Sequence, residues 1–150
     1  MVTQRPSAIP PAAYRRRFRF PHPALASAPT ILHNGPQGGR CSVTGNGGSV
    51  DGPKVKGKIV DNSGGDWLTL RADGSFKLDV RLTIKTEDGA DILMTYNGIG
   101  VPVPGGAAIR SAPLFETGDE RYTWLNKVQA IGIGTPGQGD VPYQVYALTV

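Results

Sequence analysis

The chain has 150 residues, a single cysteine, 21 glycines and 13 prolines, which is the size of one domain with one core and leaves the glycines and prolines as punctuation between many short elements. Cys41 alone excludes an intramolecular disulfide framework and a cysteine-based zinc site. The net charge of +4 divides unevenly: residues before Asp51 carry Arg5, Arg15, Arg16, Arg17, Arg19 and Arg40 with no acid, and the remainder carries 10 basic against 12 acidic residues, a balance of −2. A basic nucleic-acid-binding domain is therefore not expected.

Residues 1–34 read as an irregular basic tail that admits a first strand near 18–25. An acid-free, arginine-rich N-terminus resembles a mitochondrial transit peptide. Pro6, Pro10, Pro11, Pro21, Pro23 and Pro29 oppose the amphipathic helix such a peptide needs, so a solvated, disordered leader is expected. No apolar run approaches the roughly 18 residues of a membrane helix, and a soluble, cytoplasmic protein without membrane partners is the corresponding expectation.

From residue 35 to 150 the hydrophobic period is two, the mark of strands. A strand is expected around Arg40 to Thr44, then from Lys54 to Val60 and from Trp67 to Arg71, with the turn residues Asp61 to Gly65 between them. Phe76, Leu78, Val80, Leu82 and Ile84 alternate with Lys77, Asp79, Arg81, Thr83 and Lys85, the clearest strand of all. It is entered through the hairpin signal Asp73-Gly74 and left through Asp88-Gly89 into Asp91 to Asn97. A Gly/Pro-rich loop is expected over Gly98 to Gly106, followed by strands over Ala107 to Ala112, Leu125 to Gly134 and Tyr143 to Val150. No stretch has helical periodicity. The last strands are apolar on both faces, which suits a barrel better than a sandwich. The fold expected is all-β, an antiparallel meander closing into a small β-barrel.

Several segments occur together and in order: Gly64-Gly-Asp-Trp67, Asp73-Gly74, Leu78-Asp-Val-Arg81, Glu87-Asp-Gly89, Phe115-Glu-Thr-Gly118 and Tyr122-Thr-Trp-Leu-Asn126. This series resembles the bacterial and fungal family designated domain of unknown function three-two-three-seven. The resemblance implies a barrel like that of allene oxide cyclase, and it lends no established activity. Here the segment after Tyr96-Asn-Gly98 is shorter than the family pattern, leaving Ile99 to Gly106 as a bare loop, and Ala107 and Ala108 stand where aromatic residues often precede Arg110.

The candidate chemistry lies in polar residues among apolar strands. Asp79 and Arg81 share one face of the long strand. Facing the lumen, they would orient a carbonyl or carboxylate; facing outward, they make a wall salt bridge. Tyr96 would donate a hydrogen bond or proton, or else pack. Glu116, where a strand turns, suits an acid or base, or simple turn chemistry. Trp67, Trp124, Asn126 and Arg110 are the candidate ligand-binding residues, with structural alternatives for the tryptophans as core plugs and for Asn126 as an internal hydrogen-bonder. His22 and His33 have no second ligand at useful spacing, so no metal is expected. Phosphate loops and the hydrolase nucleophile elbow are absent, so no cofactor is expected.

Two functions remain open. One is a lumen that binds a small apolar or aromatic metabolite and steers a cofactor-free isomerisation, cyclisation or elimination, with Arg81 and Tyr96 polarising a carbonyl and Glu116 or Asp79 moving a proton. The other is a non-catalytic binding or homo-oligomeric assembly module with a packed lumen.

Overall fold

The computed structural model describes residues 14–21, 24–25, 28–135 and 142–148. β1 (Tyr14–Pro21), β2 (Ala24–Leu25) and β3 (Thr30–Gly35) follow one another along β4 (Gly38–Asn46) and β5 (Ser49–Asp51). β6 (Lys56–Ile59) pairs with β5 and β7 (Gly65–Leu70) with β4, and both border β8 (Phe76–Thr86). β9 (Asp91–Val103) pairs with β8 along its length and carries β10 (Gly106–Ser111) and β11 (Leu114–Glu116) on its other edge. β12 (Gln129–Gly134) adds to β10, β13 (Pro142–Leu148) adds to β12, and β13 pairs with β1.

Every one of these pairings is antiparallel. Grouping β1–β3, β4–β5, β6–β7 and β10–β11 as interrupted single staves, and adding β8, β9, β12 and β13, reduces the 13-stranded sheet to eight staves in an up-and-down order. The ladders lead round the circumference and are thinnest between β1 and β5, where only Arg19 and Asp51 pair.

Period-two alternation decides which residues face inward. Along β8, Leu78, Val80, Leu82 and Ile84 are at most 2% exposed, while Lys77, Arg81 and Lys85 on the opposite phase face solvent. Ile92, Met94 and Tyr96 of β9, Ile109 of β10, Ala130 of β12 and Tyr143 and Val145 of β13 complete one core. Each large apolar side chain so buried contributes roughly 1.5–3 kcal/mol.

Three expectations change. The barrel wall begins before Gly35: the first strand admitted near 18–25 is present but starts earlier, Tyr14–Pro21 pairing with β13 and Ala24–Leu25 with β4. Residues 1–13 lie outside the described residues. Gly98 to Val103 continues β9 instead of looping, and the hairpin turn moves to Pro104-Gly105. The physical reason is packing: a Cβ at Gly100 would lie 2.1 Å from the Phe76 ring, so this glycine makes room for a core aromatic inside a strand. Lastly, Thr123–Lys127 forms a 3-10 turn, and the strand expected from Leu125 begins at Gln129.

That turn is tied to β11 by Asn126. Its Oδ1 accepts from the Thr117 N–H at 2.9 Å and its Nδ2 donates to the Thr117 carbonyl at 2.9 Å. Thr117 Oγ1 donates in turn to the Asp91 carbonyl at 2.7 Å. Asn126→Ala would strip the partners from both backbone groups of Thr117 and is expected to cost about 1–3 kcal/mol. Asn126→Asp, which keeps only the acceptor, should lose less; urea midpoints of the two variants check the order.

Candidate functional site

The site is built from the Gly64-Gly65-Asp66-Trp67 segment. A Cβ at Gly64 would sit 2.0 Å from the Arg81 carbonyl oxygen, and one at Gly65 would sit 2.1 Å from that of Val43. Two glycines therefore let β7 enter between the backbones of β4 and β8. Beyond them the β7–β8 ladder pairs Asp66 with Val80 and resumes at Thr69 with Lys77. In the gap, the Asp79 N–H donates to Asp66 Oδ1 at 3.0 Å in place of a backbone acceptor. The carboxyl is thus held within the wall and is only 6% exposed.

Register places its neighbours. Asp66 pairs with Val80, and Val80 pairs with Tyr96, so all three belong to the inward face of adjacent strands. From β13, Tyr143 brings its ring to 6.0 Å from that of Tyr96, at 47° between planes. Both tyrosines are buried, at 7% and 4% exposure.

Burial sets the ionisation. Loss of hydration pushes the Asp66 carboxyl up to about 6; the Asp79 N–H opposes this and the charge of Asp79 adds to it. Burial also drives the Tyr96 phenol well above its usual value, reinforced by Tyr143 and Asp66. Tyr143 is raised by burial first and by Asp66, against a hydrogen bond with Tyr96. The Cys41 thiol is raised by burial and then by Asp66. The arrangement is a carboxyl that changes charge near neutral pH beside two phenols that remain proton donors, the elements of general acid–base chemistry.

Of the residues singled out from sequence, Tyr96 alone joins this group. Asp79 and Arg81 pair at 3.4 Å on the outer wall, with side chains 41% and 57% exposed, because they occupy the phase opposite Leu78 and Val80. Trp67 is 46% exposed on the outside, and the Arg81 guanidinium lies 5.6 Å from its ring. Glu116 is exposed on β11. Arg110 is exposed on β10, its Nη1 donating to the Ile109 carbonyl at 2.7 Å. Trp124 packs partly buried against the core, 5.5 Å from Lys54 Nζ, and Asn126 serves the Thr117 clamp.

Asp66 and Tyr143 escaped notice. The available signal was phase: Asp66 shares the inward phase of β7 with Leu68 and opposes Trp67, while Tyr143 shares that of Val145 and Ala147. Among the described residues no three His, Cys, Asp or Glu side chains gather as metal ligands. Two grooves are also present, one of about 330 Å³ bordered by Leu32, Arg40 and Trp67 and one of about 390 Å³ bordered by Lys77, Ile99 and Arg110. Asp66 lines neither of them.

Comparison with known proteins places this geometry among relatives. The chain is 39% identical over 87 residues to the hydroalkoxylation enzyme phnH of Penicillium herquei, a match spanning 57% of this chain and 51% of that protein. It is 34% identical over 93 residues to a UPF0311 protein of Bradyrhizobium diazoefficiens, spanning 53% and 60%. The chain thus spans about half the length of the curated relatives it matches. Among solved structures, a β-barrel-like protein of Acinetobacter baumannii superposes with a TM-score of 0.82 at 26% identity, covering 91% of this chain and 95% of that one. An enzyme from Penicillium herquei superposes with a TM-score of 0.66 at 27% identity, covering 93% and 98%. The model of a protein family of unknown function, DUF3237, matches residues 18–148, and the chain belongs to that family.

Proposed function

We propose that this barrel is a cofactor-free acid–base catalyst acting on a small, largely apolar or aromatic hydroxylated metabolite. The observation that carries the reading is Asp66: a buried carboxyl poised at about 6, facing the interior beside Tyr96. Its ionised form would take the proton of a ligand hydroxyl, and a phenol of the Tyr96–Tyr143 pair would return one to carbon. The name of the Penicillium herquei relative supports a specific form of this chemistry. In hydroalkoxylation an O–H adds across a C=C bond: one C–O and one C–H bond form, the π bond and the O–H bond are lost, and nothing is oxidised or reduced. Proton transfer and positioning are therefore the two kinds of help the barrel would supply.

A panel of ortho-alkenyl phenols, incubated with the protein in D₂O and followed by mass spectrometry, tests the reading. Expected are ring-closed products with one deuterium on carbon, a rate that rises with pH through about 6 as Asp66 ionises, and a loss of roughly 10²–10⁴-fold in Asp66→Asn. Full activity in Asp66→Asn, or neither binding nor turnover across the panel, would overturn it.

The assembly-module reading has support of its own. Val101 of β9 is 48% exposed and Leu114 of β11 50%, with Leu93 and Ile99 also outward. Large apolar residues grouped on one outer wall suit a second copy of the chain. A monomer by native mass spectrometry at micromolar concentration would remove it.

A further inference from the structure

We propose that Arg81, on the outer surface, is a positioning residue for Asp66 on the inner one, acting through the barrel wall by way of Asp79. The proposal deepens the reading of Asp66 as the proton-transfer group.

The geometry is a relay across one strand. Asp79 presents two groups to opposite sides of the problem: its N–H holds Asp66 Oδ1 at 3.0 Å inside the wall, while its carboxylate is held at 3.4 Å by Arg81 outside. Arg81 is itself fixed against Trp67, with 5.6 Å from guanidinium to ring centroid. Trp67 is the residue next to Asp66 on β7, and Arg81 pairs with Gly65 on the same strand. Arg81 therefore spans β7 and β8 on the outside at the level where the ladder opens and the Asp66 carboxyl replaces a backbone acceptor.

Two consequences follow from elementary electrostatics. The Asp79 carboxylate is a like charge near Asp66 and opposes its ionisation. Arg81 offsets that charge, so its removal makes ionisation of Asp66 harder, whereas removal of the Asp79 charge makes it easier. The other titratable groups facing Asp66 are Cys41 of β4, Tyr96 of β9 and Tyr143 of β13. None changes charge below pH 8, so they form a constant background. Both Asp79 and Arg81 are well exposed, so solvent and salt weaken the effect without changing its sign.

The experiment is a carboxyl-carbon NMR titration of Asp66 in the full-length protein at about 20 mM salt, a readout independent of any substrate. Arg81→Gln is expected to move the Asp66 midpoint up by about 0.3–0.5 unit and Asp79→Asn to move it down by a similar amount. At about 0.5 M salt both shifts should shrink by half or more, because the Debye length falls to roughly 4 Å. The double variant, which removes both opposite charges, should return close to the wild-type midpoint. Shifts of the same sign, or none, in two folded variants would overturn the relay while leaving Asp66 as the catalytic group. A wild-type midpoint near 4 would overturn the reading of Asp66 itself.

Discussion

Asp66→Asn is expected to be more stable than the wild type at pH 8 and equal to it at pH 4. In the folded protein burial lifts the Asp66 carboxyl to about 6, whereas in the unfolded chain it titrates near 3.9. Between these values the native state holds a proton that the unfolded state has released, so wild-type stability falls as pH rises through the window. The shift is about two units at 1.36 kcal/mol each, so the wild type forfeits roughly 3 kcal/mol by pH 8. Asparagine carries no charge to desolvate and keeps an oxygen for the Asp79 N–H. The difference between the two urea-unfolding profiles should grow from near zero at pH 4 to about 2–3 kcal/mol above pH 7.

Other carboxyls act in the opposite direction. Asp73 is held below its usual value by Ser75, Asp88 by Thr86 and Tyr122, and Asp119, at about 2, by Arg121. Their contributions are present above the unfolded value near 3.9 and are lost as pH falls through the depressed folded values. The wild type should therefore be most stable between about pH 4 and 5, with separate losses on either side. A difference profile that is flat across pH would show that Asp66 is not desolvated in solution. A carboxylate that destabilises the fold at neutral pH is what a working base looks like, and a stabler, inactive asparagine variant joins the two halves of that statement.

The barrel was legible because its strands obey period two and its tight turns carry Asp-Gly. The β8 alternation from Phe76 to Lys85 predicted a strand with two unlike faces, leaving open which of them turns inward, and the ordered motifs predicted the family that the comparison shows. The site was less legible, for a physical reason. Charged residues draw attention, and Asp79, Arg81, Arg110 and Glu116 are charged residues on the outward phase, where charge is cheap. Asp66 lies in the Gly64-Gly-Asp-Trp67 motif, where the large aromatic Trp67 is the more conspicuous residue. Only the register of β7 against β8 and β9 shows that Asp66 shares a face with Val80 and Tyr96. The strand from Gly98 to Val103 was lost to its glycines, and the cause of Gly100, the Phe76 ring, lies some twenty residues away in sequence.

Gly65→Ala should be, with Gly64→Ala, among the most damaging single-methyl changes near the site. Its Cβ would meet the Val43 carbonyl oxygen at 2.1 Å and carbon at 3.0 Å, both backbone atoms of a paired strand, so relief requires moving β4 away from β7. Overpacking of this kind costs roughly 3 kcal/mol or more when the obstacle is backbone, a large share of the 5–15 kcal/mol typical of a domain. Gly118→Ala is the control: nothing lies within 4 Å of its Cβ, and with less freedom in the unfolded chain it should be neutral or slightly stabilising. Urea unfolding at pH 5 checks both, since Asp66 is then mostly neutral in the native wild type. Equal midpoints for the two variants would mean that β4 and β7 can separate at little cost, and the tight wall that desolvates Asp66 would lose its support. A large loss confined to Gly65→Ala would show that the paired glycines exist to bring three backbones together, and that the buried carboxyl is a consequence of that closeness.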